Sequence, residues 1–88
     1  AESNMQQWKP KEKQLYSMYK LQENGTRELK GIGEMWMSVV EVGKGVAFCN
    51  WFTTQVDFIE KTGKGIIFET LNSTYLIEEC DKLPGFLD

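Results

Sequence analysis

A mainly β fold, a small antiparallel meander curled into a five- or six-stranded barrel or roll, follows from three features of this sequence. Apolar residues recur with a period of two over short segments between Glu34 and Cys80, the spacing of strands rather than helices. Turn-forming groups punctuate those segments closely: Asn24-Gly25, Gly43-Lys44-Gly45, Gly63-Lys64-Gly65 and Asn72-Ser73. Three Trp, five Phe and three Tyr supply large apolar areas on few residues in a chain of 88. A chain of this size buries only roughly 60–65% of the surface it exposes when unfolded, so each aromatic side chain carries a large share of the stability.

The elements follow in order. Residues 1–12 are polar, end at Pro10 and its neighbours, and show no periodicity that buries a face, so they read as a flexible lead-in. Lys13 to Glu23 fits two patterns: Leu15, Met18, Tyr19 and Gln22 suit one short N-terminal helix, whereas Leu15, Tyr19 and Leu21 suit a strand. Asn24-Gly25 favours the strand, since this pair is preferred in two-residue hairpin turns whose central residues need positive φ. Thr26 to Ile32 then returns, with Gly31 and Gly33 marking a bulge or bend.

Glu34 to Val42 carries apolar residues on both faces and reads as a central strand, paired through Gly43-Lys44-Gly45 with a strand from Val46 to Phe52. Gln55 to Glu60 places Val56 and Phe58 on one face. Ile66 to Thr70 presents Ile66 and Phe68 together, and Thr74 to Cys80 presents Tyr75 and Ile77 against Leu76. The domain organisation is thus a lead-in over 1–12, a single β domain over 13–83 and a tail over 84–88, where Pro84-Gly85 stops the last element.

The sequence offers little chemistry. It contains no histidine, which removes the commonest general base and zinc ligand together with the usual nucleophile-activating arrangements. Cys49 and Cys80 are two thiols too few for a four-thiolate zinc site, and they read as buried thiols rather than a disulfide. The three Gly-x-Gly pairs precede strand-like sequence, not the helix a phosphate loop requires, and read as turns. Nothing selects a pair among the carboxylates, so no catalytic residue, metal or cofactor is assigned. No apolar run approaches the roughly 20 residues of a membrane span. The N-terminal residues show no signal-peptide pattern, which favours the cytoplasm over secretion, although a removed signal would leave no trace.

Net charge of −3 disfavours broad nucleic-acid binding. Lys9, Lys11, Lys13 and Lys20 make the first quarter basic, a pattern read as solvated surface. The aromatic residues are the remaining lead. Trp51 and Phe52 are neighbours on one predicted strand and must alternate faces, so one is expected at the surface. The candidate binding residues are therefore Trp36, Trp51, Phe52, Asn50 and Thr54, a mixed aromatic and polar patch of the kind that anchors protein interfaces. The expected function is a small non-enzymatic binding or regulatory module acting on a protein partner or by self-association as a homo-oligomer. An OB-like single-strand binder, and a ligand held in the barrel by Trp36, Phe48, Phe58 and Phe68, are the alternatives.

Overall fold

The structure, a computed structural model, describes residues 4–35, 39–48 and 51–80. Ten antiparallel strands are defined among these residues: β1 (Asn4–Met5), β2 (Gln7–Trp8), β3 (Leu15–Leu21), β4 (Arg27–Glu34), β5 (Val40–Glu41), β6 (Ala47–Phe48), β7 (Trp51–Phe52), β8 (Val56–Lys61), β9 (Gly65–Thr70) and β10 (Thr74–Cys80). The five longest form one sheet in the order β8-β9-β10-β3-β4, with β1 added beside β8. β2 pairs with β5, and β6 with β7. The order is open, and no closed barrel is formed among the described residues. No helix there is long and apolar enough to cross a membrane.

Period-two alternation decides which face is buried. On β9, Ile66, Phe68 and Thr70 are buried, Ile67 is half-buried and Glu69 exposed. On β10, Tyr75 and Ile77 stand opposite Phe68 and Ile66, and the Phe68 and Tyr75 rings stack at 5.1 Å. β3 adds Tyr16 and Met18 to the same face, where the register sets them opposite Gly33 and Gly31 of β4. Bulky side chains thus sit beside positions with none, which leaves room for the large core residues. Met35, Val40, Val46, Phe48, Val56 and Ile59 complete the cluster. Burying each such side chain contributes roughly 1.5–3 kcal/mol.

Several sequence expectations need correction. The alternative of a short N-terminal helix is set aside: residues 15–21 form the favoured strand, which pairs along its whole length with β10 as well as β4. The β3–β4 hairpin is present, but its turn has three central residues: Gly25 N–H donates to Gln22 O at 3.1 Å, and only Gly25, at φ 92°, is left-handed. Asn24 instead uses its side chain, whose Oδ1 accepts from Thr26 N–H and Oγ1. The expected bulge in the returning strand is found where the register shifts between Met18 and Tyr19 and skips Lys30.

The lead-in assigned to residues 1–12 carries two strands. β1 pairs with β8, Val42 N–H donates to Gln6 O, and β2 pairs with β5. Trp8 packs against the core, which explains why a polar segment is held. The hairpin expected between Glu34–Val42 and Val46–Phe52 is not found among the described residues: β5 pairs with β2, and β6 pairs with β7. The turn at residues 42–45 joins β5 to β8, through Gly43 N–H to Val56 O at 2.9 Å and Val56 N–H to Lys44 O at 3.0 Å. Val56 and Phe58 were expected on one face. A bulge between them leaves Val56 buried, while Phe58 is half-buried and stands opposite Glu69, on the face away from Phe68. Phe58 therefore does not join Phe68 and Phe48 in lining one interior. Trp36, Cys49, Asn50 and the tail 84–88 lie outside the described residues. Cys80 is a half-buried thiol.

Candidate functional site

Of the five residues singled out from the sequence, Phe52 and Thr54 are exposed, Trp51 lies in β7 opposite Phe48, and Trp36 and Asn50 lie outside the described residues. The β6–β7 hairpin separates its two registered pairs by depth. Phe48 is 2% exposed and belongs to the core, whereas Phe52 is 73% exposed and is paired with Ala47, itself exposed. Phe52 is thus presented on a support that reaches the core through Phe48.

Thr53 provides that support. Val46 N–H donates to Thr53 Oγ1 at 2.9 Å, Thr53 N–H returns to Val46 O at 2.9 Å, and the Thr53 hydroxyl donates to Thr54 O at 2.7 Å. The two segments come so close that a Cβ on Gly45 would lie 2.7 Å from Thr53 O, so a side chain there would force the backbone apart. Below this lock, Gln55 and Leu71 are the residues next to the paired Val56 and Thr70, and both are exposed, Leu71 by 80%. Phe52, Thr54 and Gln55 therefore form an exposed stretch of apolar and polar groups anchored from below by Val46 and Phe48.

A cleft elsewhere in the fold is not legible in the sequence. The turn between β8 and β9 faces the segment after β2, and together they enclose about 350 Å³ lined by Trp8, Lys9, Lys11, Lys61, Lys64 and Glu79, with Tyr16 behind. Lys11 Nζ lies 2.9 Å from Glu79 Oε2. The hydrogen bond to Glu79 and then its negative charge raise the Lys11 pKa above the ordinary 10.5. The basic character of Lys9 and Lys11 was legible, as was the Gly63-Lys64-Gly65 turn, but their meeting depends on β2 docking onto β5.

The opposite face of the main sheet carries a different arrangement. Arg27 lies over the Tyr19 ring, 4.5 Å from its centroid, and its Nη1 is 3.6 Å from Glu78 Oε1. This covers an apolar row in which Ile67, Leu76, Tyr19 and Leu29 stand in register, and it reads as stabilisation of a wet sheet face. No family model, curated protein or solved structure matches the chain.

Proposed function

We propose that the protein is a non-catalytic binding module that docks protein surfaces through the β6–β7 hairpin, with a second copy of the chain as the occupant. The observation that carries this reading is Phe52, a large aromatic side chain 73% exposed on a hairpin that is itself pinned to the core. Aromatic residues on pre-ordered supports lose little conformational entropy on binding and serve as interface anchors. Self-association needs only one self-complementary patch, because a two-fold contact sets the same surface against itself. The exposed Ala47–Phe52 pair, a small residue beside a large one, is the surface that would be set against its copy.

The same reading takes the sheet as a small roll. It is supported by the N-terminal segment, which pairs with β8 through β1 and with β5 through β2. Sedimentation velocity over a concentration series tests the function. A mass that rises with concentration, and that Phe52→Ser holds at the monomer value, supports it; a wild-type monomer throughout contradicts it.

A further inference from the structure

Four of the chain's ten Lys and Arg residues line the single cleft between the β8–β9 turn and the segment following β2. That is a strong local concentration in a molecule whose net charge is −3. Among the described residues Glu79 is the only acidic one lining the cleft, and it is engaged with Lys11 at 2.9 Å. Among the described residues, no carboxylate lies within ion-pair distance of Lys9, Lys61 or Lys64. Three cationic side chains brought to one cleft from two distant segments make it a favourable place for an anion.

The walls are pre-ordered. Trp8 is half-buried and meets the buried Tyr16 edge-to-face, with ring centroids 5.4 Å apart at 87°. The Tyr16 hydroxyl accepts from Lys11 N–H at 3.0 Å, which fixes the backbone that carries two of the lysines. On the other side Thr62 N–H donates to Gly65 O at 2.9 Å, Gly65 N–H to Thr62 Oγ1 at 3.0 Å, and Glu79 N–H to Lys64 O at 2.9 Å. The cleft thus combines one aromatic wall with a held basic rim.

We propose that this cleft binds a small diphosphate ester bearing a planar ring, of the nucleoside diphosphate class, with the phosphates between Lys9, Lys61 and Lys64 and the ring against Trp8. A terminal and a bridging phosphate together carry roughly three negative charges at neutral pH, which matches the positive charge of Lys9, Lys61 and Lys64. Lysine suits phosphate as a mobile point charge. The volume of about 350 Å³ sits at the lower end of the roughly 300–1,000 Å³ typical of ligand pockets, which favours one nucleotide over a dinucleotide.

Calorimetric titration with ADP, pyrophosphate and a single-stranded oligonucleotide, each at matched ionic strength, tests the proposal. ADP is expected to bind, Lys61→Met with Lys64→Met to weaken it at least tenfold, and Trp8→Phe to weaken ADP more than pyrophosphate. The lysine variants change exposed residues and keep the far-ultraviolet circular dichroism of the parent, whereas Phe52→Ser leaves ADP affinity unchanged. No binding beyond the sodium chloride control overturns the proposal, as does equal ADP affinity in the double lysine variant. An oligonucleotide that displaces ADP from the cleft with higher affinity overturns the small-ligand assignment in favour of single strands.

Discussion

Phe48 and Phe52 occupy one two-stranded hairpin four residues apart, yet Phe48 is 2% exposed and Phe52 is 73% exposed. Opposite faces of a strand alternate, but these two belong to different strands, and the pairing Ala47–Phe52 and Phe48–Trp51 is what sorts them. One phenylalanine therefore anchors the hairpin while the other is left to act.

Phe48→Ala removes the anchor. It is expected to destabilise the domain by about 3–5 kcal/mol, the range for truncating a buried phenylalanine. Urea unfolding measures this through the shift in midpoint. A change below about 1 kcal/mol, within the range of ordinary surface substitutions and their neighbours, would show that the hairpin does not lean on the core.

Gly63 and Gly65 lie in one turn and are expected to respond oppositely to alanine. A Cβ at Gly65 would be driven onto the Ile77 carbonyl oxygen of β10, whereas one at Gly63 meets open space. Gly65→Ala must push β9 from β10 and is expected to cost at least the roughly 1–3 kcal/mol of overpacking. Gly63→Ala is expected to stay within about 0.5 kcal/mol of the parent. Thermal unfolding of both variants checks the contrast, and equal melting temperatures would refute the close approach.

The Lys11–Glu79 contact predicts an alkaline loss of stability. Because the folded pKa of Lys11 is raised above 10.5, its contribution is fully present below 10.5 and is lost as pH climbs through the higher folded value. The melting temperatures of the parent and Lys11→Met should differ by a constant amount on the neutral side and converge above 10.5. A difference that instead vanishes on acidification through the neutral range would assign the contact to another group.

Much of the fold was legible because its signals were local. Alternation from Ile66 to Phe68 and from Tyr75 to Ile77 fixed both the strands and their buried face, since a one-residue slip would expose the whole set. Asn24-Gly25 marked a hairpin correctly, although the side chain of Asn24 closed the turn in place of a left-handed backbone. What local reading missed was long-range pairing. Gly43-Lys44-Gly45 does reverse the chain, but Val40 finds its partner in Trp8, far away in sequence, and no periodicity in residues 4–8 announces that. Alternation set one of Trp51 and Phe52 at the surface without choosing between them; Phe52 is exposed, and so is Thr54. The lysine cleft was invisible for the same reason as the β2–β5 pair: its two halves meet only after the N-terminal segment docks.

Sedimentation velocity on the parent and on Phe52→Ser, paired with their melting temperatures, tests the central claim most directly. Phe52 is exposed, so the substitution should alter stability by no more than about 0.5 kcal/mol. The account predicts that the parent's sedimentation coefficient rises with concentration while the equally stable variant stays monomeric. A parent that remains a monomer at every concentration, or a variant that associates as the parent does, would contradict it.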